Sequence, residues 1–304
     1  MRTTEVVVDG LKFPETPRWH DGALWFSDIF DGTVSVLGED GVPRVVAQLP
    51  HWASGLGWDP GGNLLVVSVA DTRIMRLREG VLEEAADLTD CATVEGHHRM
   101  TNDMIVGRNG DAYVGVMKLE VEKVGEMPVM EAGSPLLRPP THHEAPITPL
   151  IHVDPTGRVR VVSTSLREPN GMGITADGET LVVGETDAQR LTAFRLDENG
   201  DLHDQRLFAE LDGCPDGMCL DEEGAVWVAL EDKREFVRVA EGGKVLDRLH
   251  VGSDRGAFAC VLGGADRRTL YLCTAEEIDP TGTSERRTGR IEAVQVEVPG
   301  AGMP

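Results

Sequence analysis

Basic residues are scarce in this chain. Its 304 residues include 29 Lys and Arg against 52 Asp and Glu, which gives a formal net charge of −23 at pH 7. Such a charge repels phosphate backbones and anionic lipid surfaces, so neither nucleic acid nor a membrane is an expected partner. Apolar residues make up 40% of the chain. This is enough for a full hydrophobic core, and it excludes disorder as the dominant state.

Long apolar runs and a regular cysteine pattern are also missing. No stretch approaches the roughly 18 apolar residues that a membrane span requires. The amino-terminal segment has a very short apolar run and is not expected to be a secretory signal. The five cysteines are an odd number at irregular spacing, which does not indicate a disulfide framework. We therefore expect free thiols and a cytoplasmic location.

Three common site motifs are absent as well. There is no G-x-S-x-G nucleophile elbow and no phosphate-binding loop ending in G-K-[S/T]. Cys214 and Cys219 lack the second cysteine pair of a structural zinc site. These absences argue against a serine hydrolase, a nucleotide-binding domain and a zinc module.

What the sequence does contain is a hairpin pattern that occurs six times. Each copy has an apolar stretch, a turn of the D-x-x-G type, and a second stretch rich in Val, Leu, Trp or Tyr. The turns lie about 49 residues apart on average, and a period of roughly 40–50 residues is typical of propeller blades. The turn markers are Gly22, Gly62, Gly110, Gly178, Gly224 and Arg267, which stands in the last copy where the others have Gly.

The remaining segments complete this architecture. Residues 150–165 are predicted to form a further hairpin in the third blade, and residues 5–8 and 291–298 to pair and close the ring. Residues 118–149 contain six prolines with His142 and His143, which predicts a long insertion loop, either a lid over the site or a surface excursion. Helical periodicity is nearly absent, and its best candidate, residues 83–92, is short. The sequence thus predicts an all-β fold, a six-bladed β-propeller that occupies residues 1–304 as one domain.

Four polar residues stand beside Pro or Gly just before the inner hairpins. Because equivalent positions in successive blades ring one end of the central channel, we expect these side chains to converge. Two carboxylates and two amides form an all-oxygen set of the kind that Ca²⁺ prefers. Asn and Asp beside Gly are also ordinary turn formers, but four in register favour a metal site. The four are Glu15 in FPETPRW, Asn102 in RMTNDM, Asn170 in REPNGMG and Asp216 in CPDGMC.

These segments, together with FACVLGGADRRTLYLCTA near the end, resemble the senescence marker protein-30/gluconolactonase (regucalcin-like) family along essentially the whole chain. The resemblance implies a six-bladed propeller with one divalent metal ion at the channel mouth. Glu15, Asn170 and Asp216 match the family's metal ligands. Asn102 matches an amide that binds substrate or metal, and Asp216 also matches the proposed general base. Calcium is expected first, with Zn, Mg, Mn or Fe as alternatives.

One departure concerns substrate binding. The sugar-lactone members carry Arg two residues before the Asn, whereas here Arg99 lies three residues before Asn102. Arg99 and His98 are the candidates for substrate contact in this segment. His97 and His98 are also reserve candidates for the base, since related paraoxonase-type propellers use histidine in that role and its ordinary pKa suits it. A solvated histidine pair is the plainer alternative.

The predicted function is that of a divalent-metal-dependent hydrolase of a lactone, a sugar lactone or related small cyclic ester. Two alternatives stay open: an esterase or phosphotriesterase on the same metal site, and a non-catalytic, metal-stabilised propeller that binds a ligand. The expected partner is a small-molecule lactone or ester, and the expected state is a monomer or small homo-oligomer.

Overall fold

The fold consists of antiparallel sheets arranged around a central axis. The computed structural model describes residues 2–38, 40–121, 123–125, 146–276 and 286–302. Within these ranges, 25 strands form five four-stranded sheets and one five-stranded sheet. The α-helical content of the same ranges is one turn, α1 (Thr89–Ala92), and no helix there is long and apolar enough to cross a membrane.

The strands are numbered in chain order. They are β1 (Glu5–Leu11), β2 (Pro14–His20), β3 (Ala23–Asp28), β4 (Thr33–Leu37), β5 (Pro43–Gln48), β6 (Ala53–Trp58), β7 (Leu64–Ser68), β8 (Arg73–Arg78), β9 (Val81–Asp87), β10 (Thr93–Val94), β11 (His97–Val106), β12 (Ala112–Val121), β13 (Thr148–Val153), β14 (Val159–Leu166), β15 (Pro169–Ile174), β16 (Thr180–Glu185), β17 (Arg190–Leu196), β18 (Leu202–Glu210), β19 (Pro215–Leu220), β20 (Val226–Leu230), β21 (Glu235–Val239), β22 (Val245–His250), β23 (Gly256–Gly263), β24 (Thr269–Ala275) and β25 (Gly289–Gln295).

Each sheet is one blade of a six-bladed β-propeller, as the repeat predicted. Blades 1 to 5 are β2–β5, β6–β9, β10–β14, β15–β18 and β19–β22, and blade 6 joins β23–β25 with β1. The inner strands β2, β6, β11, β15, β19 and β23 contact one another in turn around the axis. We call the end of the channel where these strands begin the channel mouth.

The predicted closure is confirmed. Strand β1 pairs antiparallel with β25, with Glu5 opposite Ala293 and Leu11 opposite Gly289. The amino-terminal strand therefore completes the carboxy-terminal blade. This pairing covers an edge of the sheet that would otherwise be exposed.

The turn residues behave as their pattern predicts. All five marker glycines have positive φ, for example 76° at Gly22 and 75° at Gly224. Arg267 adopts the same left-handed conformation, with φ of 58°, without the steric freedom of glycine. The turn of the sixth hairpin thus has the same conformation as the others, although Arg267 replaces the glycine.

Burial explains why the second strands read as apolar runs. All residues of β7 (LLVVS) and β20 (VWVAL) are buried, because a blade is covered on both faces by its neighbours and alternation of polar residues is lost. The outermost strands, such as β5 and β18, are mostly exposed. The core therefore lies between blades and around the channel.

Two predicted boundaries are wrong. Strand β12 runs through Val121 and β13 begins at Thr148, so the ends of the predicted 118–149 loop are strand, held by pairing with β11 and β14. Residues 126–145, with His142 and His143, lie outside the described residues. In the helical candidate 83–92, pairing with β8 makes residues 83–87 part of β9, and only α1 is helical.

Candidate active site at the channel mouth

The inner strands share a β-bulge at the channel mouth. In each of them the pairing with the second strand slips, for example between Pro169 and Met172 and between Pro215 and Met218. A bulge leaves residues unpaired and re-aims their side chains. From blade 1 to blade 6 the unpaired residues that begin this slip are Thr16, Ser54, Asn102, Asn170, Asp216 and Phe258. Strand β11 has a further slip at Met100, before Asn102.

The four candidates were expected to hold equivalent positions in their blades. This is wrong for Glu15 in blade 1, which lies one residue before the equivalent position. Asn102, Asn170 and Asp216 hold the same bulge position, but in β2 that position belongs to Thr16, and Glu15 is still paired with Ser27. Thr16 has a positive φ of 40°, so the chain turns sharply there. Glu15 is therefore presented from one position earlier in the strand than the other three.

The four side chains nevertheless come together. Asn102 Nδ2 donates to Asn170 Oδ1 over 3.4 Å. Asn170 is close enough to Asp216 to lower the pKa of that carboxyl group, and the charge of Glu15 raises it. The structure thus gathers residues from blades 1, 3, 4 and 5 at one place.

Negative charge accumulates in this cluster. Burial raises the pKa of Glu15 well above its ordinary value, and the nearby Asp103 raises it further. Burial raises the pKa of Asp216 in the same way, with Glu15 the next contributor. The pKa of Asp103 rises to about 6 through burial, although Arg18 opposes the rise.

Arg18 only partly offsets this charge. Its guanidinium is buried and donates to three main-chain oxygens, those of Pro17, Leu56 and Met104, at 2.9, 3.2 and 2.7 Å. Its hydrogen bonds are thus directed to the backbone of blades 1 to 3.

The donor set fits a divalent cation. Glu15 and Asp103 are buried and Asp216 is half-buried, and a bound cation would relieve the repulsion among these carboxylates. Among the described residues, no group of three or more His, Cys, Asp or Glu is arranged to hold a metal ion. The predicted set is of a different kind, because half of its ligands are amides. Glu15, Asn170 and Asp216 are the residues that would hold the ion, with Asn102 beside them.

Two of the three predicted substrate-binding residues, Arg99 and His98, contact other groups, as does the reserve base His97. The Arg99 guanidinium donates to Glu120 Oε1 at 2.9 Å and to the main-chain oxygen of Lys118 at 3.0 Å. His98 Nδ1 lies 2.8 Å from Thr93 Oγ1. His97 is largely exposed, with its Nδ1 3.5 Å from Glu120 Oε2. The structure therefore does not bring these three side chains into the carboxylate cluster.

Sequence reasoning missed two features of the mouth. Ser54 Oγ donates to Asn102 Oδ1 over 3.2 Å, and aligning the bulge of blade 2 with the others would have found it. His51 Nδ1 lies 3.1 Å from Asp71 Oδ1, and Ser68 Oγ donates to the same carboxylate. These residues flank β6 and β7 at the mouth, and no sequence motif links them.

Fold and site together define the class: a six-bladed propeller with an acidic, oxygen-rich cluster at one end of its channel. The model of the SMP-30/gluconolactonase/LRE-like family matches residues 13–276. The chain belongs to this family.

Known proteins are similar over most of the chain. The pentonolactonase of Haloferax volcanii is 27% identical over 281 residues, which cover 90% of this chain and 86% of that protein. A calcium-binding regucalcin from Agrobacterium tumefaciens has a TM-score of 0.76 at 21% identity and covers 100% of this chain and 97% of its own. A gluconolactonase from Xanthomonas campestris has a TM-score of 0.72 at 21% identity, with 96% and 89% covered. The two structures support the same fold.

Proposed function

We propose that this protein is a divalent-metal-dependent lactonase that hydrolyses a small cyclic ester at the channel mouth. The observation that carries the proposal is a pair of carboxylates, the buried Glu15 and the half-buried Asp216, gathered with the amides of Asn102 and Asn170. Family membership and the likeness to a pentonolactonase over 90% of the chain support lactone hydrolysis. The regucalcin likeness and the oxygen-only donors support calcium as the first metal to test.

Glu15, Asn170 and Asp216 would hold the cation. When bound, a divalent ion supplies Lewis-acid polarisation of a carbonyl oxygen and lowers the pKa of water. Its charge would also lower the pKa of Glu15 and Asp216 from their raised values and so favour their ionised forms.

The chain's own groups would handle the proton and the substrate. A water oxygen would form a bond to the carbonyl carbon while the carbonyl π electrons move to the carbonyl oxygen, and the water's proton would pass to the Asp216 carboxylate. The carbonyl would then re-form as the bond between that carbon and the ring oxygen breaks, and the ring oxygen would take the proton back from Asp216 to give a hydroxy acid. Asn102 Nδ2, which donates to Asn170 Oδ1 over 3.4 Å, would donate a hydrogen bond to the substrate oxygen.

A substrate panel tests this proposal. It contains aldonolactones, simple γ- and δ-lactones, aryl esters and a phosphotriester, and hydrolysis is followed by proton release. We expect hydrolysis of at least one lactone, loss of that activity after chelation, and recovery with a divalent ion. Asp216→Asn should lower kcat by about 10²–10⁴-fold, while Asp9→Asn, on the exposed face of β1, should not.

Three outcomes would contradict the proposal. Activity that survives complete chelation would remove the metal from the reaction. Turnover of aryl esters or the phosphotriester with no lactone hydrolysis would favour the esterase or phosphotriesterase reading. Metal binding without turnover of any compound would favour the non-catalytic reading.

A further inference from the structure

A directed chain of hydrogen bonds crosses four blades at the channel mouth. Ser54 Oγ donates to Asn102 Oδ1 at 3.2 Å, and Asn102 Nδ2 donates to Asn170 Oδ1 at 3.4 Å. Asn170 Nδ2 donates to Thr186 Oγ1 at 3.2 Å, and Thr186 Oγ1 donates to the main-chain oxygen of Pro215 at 2.8 Å. The chain thus runs from blade 2 to blade 5 in one direction.

Thr186 sets that direction. A hydroxyl has one proton to donate, and the Thr186 proton goes to the Pro215 oxygen. The group of Asn170 that faces Thr186 must therefore be a donor, its Nδ2. Consequently Asn170 Oδ1 is turned toward the channel, where it faces Asn102 and is available to a cation. A side chain without a hydroxyl at position 186 would remove this constraint.

Thr186 itself is fixed from three sides. It begins a 3-10 turn, Thr186–Ala188, that directly follows β16, and its main-chain nitrogen donates to the Glu168 oxygen at 3.2 Å. The turn is held by a half-buried lysine, since Lys118 Nζ lies 2.7 Å from Glu168 Oε2 and 2.8 Å from Asp187 Oδ1. These contacts join blade 3 to the two segments that flank the Asn170–Thr186 hydrogen bond.

We propose that Thr186 is a positioning residue that orients the Asn170 amide, so that its oxygen faces the channel, and ties it to the Pro215–Asp216 segment. The part of this inference that concerns cation affinity rests on the proposed function. Hydrogen-bond partners that orient a metal ligand typically contribute about 10–100-fold to metal affinity. The Thr186 hydroxyl bonds Asn170 Nδ2 and the main-chain oxygen of Pro215, so it acts through Asn170 and the segment that carries Asp216.

The test compares Thr186→Val, which keeps the shape and loses the hydroxyl, with Thr186→Ser, which keeps the hydroxyl. Calorimetric titration of chelator-treated protein with Ca²⁺, repeated with Mn²⁺ and Zn²⁺, gives the dissociation constants. We expect about 10–100-fold weaker binding for Thr186→Val and a value for Thr186→Ser within about threefold of the wild type. Circular dichroism checks folding, and Thr186→Ala is a second variant without the hydroxyl.

A second readout needs no metal. The sequence contains five asparagines, so selective ¹⁵N labelling resolves the Asn170 side-chain amide. Its exchange with solvent should be slow in the wild type and in Thr186→Ser, and at least about tenfold faster without the hydroxyl. The inference would be overturned if Thr186→Val left the amide exchange unchanged. It would also be overturned if the wild type bound a cation and Thr186→Val bound it with the same affinity. If the wild type bound no divalent ion but exchange were faster in Thr186→Val, the proposed metal site would be wrong. The orienting role of Thr186 would still be supported.

Discussion

At the scale of the residue, the site is notable for charge that the protein does not neutralise by itself. Burial is the main cause of the raised pKa values of Glu15 and Asp216; the charge of Asp103 raises the pKa of Glu15 further, and the charges of Glu15 and Asp103 raise that of Asp216. The nearest cation, Arg18, gives its hydrogen bonds to main-chain oxygens. An ionised carboxylate in such surroundings costs stability unless a cation joins it. The proposed cation site is therefore expected to destabilise the folded protein when no cation is bound.

Asp216→Asn should accordingly stabilise the metal-free protein at pH 8. A carboxyl whose pKa is raised by folding stabilises the protein at low pH, and that contribution is lost as the pH rises through the folded-state pKa. The Tm of the variant should exceed that of chelator-treated wild type at pH 8, by about 2–4 °C per kcal/mol of repulsion relieved, and the difference should shrink toward pH 5. Thermal unfolding followed by circular dichroism measures it.

The exposed control Asp9→Asn should leave the Tm unchanged at both pH values. Equal Tm values for wild type and Asp216→Asn at pH 8 would mean that the buried carboxylate does not strain the metal-free fold.

Some of these residues could be identified from the sequence and some could not. Asn170 and Asp216 stand beside Pro and Gly, a local pattern that fixes the turn and reveals the position. Thr186 follows an unremarkable strand, and its role depends on Pro215, 29 residues later. Such a contact is created by the packing of blade 4 against blade 5, so no local pattern records it.

At the scale of the element, the six-bladed fold could be predicted mainly from the repeated hairpin. Turn glycines and apolar second strands are local signals, so they placed both strands of all six hairpins. The bulge register is not local, because it depends on pairing across the hairpin. For this reason Glu15 was grouped with Asn102, Asn170 and Asp216, although Thr16 occupies the equivalent position.

The closing strand β1 offers a matched test at this scale. Val8 is 4% exposed and packs in a cluster with Leu24, Phe26 and Ile291, whereas Val6 on the same strand is 45% exposed. Val8→Ala should lower the free energy of unfolding by about 1–3 kcal/mol through the lost burial and the cavity. Val6→Ala should change it by no more than about 0.5 kcal/mol.

Urea unfolding with a common m-value measures both changes. Equal effects of the two substitutions would show that β1 does not anchor the joint between blades 6 and 1.

At the scale of the whole molecule, the site exists only because the ring closes. Its side chains come from four blades whose residues lie up to 201 positions apart in the sequence, from Glu15 to Asp216. No single blade holds the set, and the hydrogen-bond chain from Ser54 to Pro215 crosses three blade boundaries. The strands form the scaffold. The bulges at their mouth ends present Asn102, Asn170 and Asp216 to the channel.

The metal content of the purified protein tests the central claim most directly. Elemental analysis of protein prepared without chelators should find about one divalent ion per chain in the wild type, because the cluster's four oxygen donors and excess negative charge suit a single such ion. Asp216→Ala, which removes a carboxylate from the centre of the cluster, should contain almost none. A metal content in Asp216→Ala equal to that of the wild type would contradict the account.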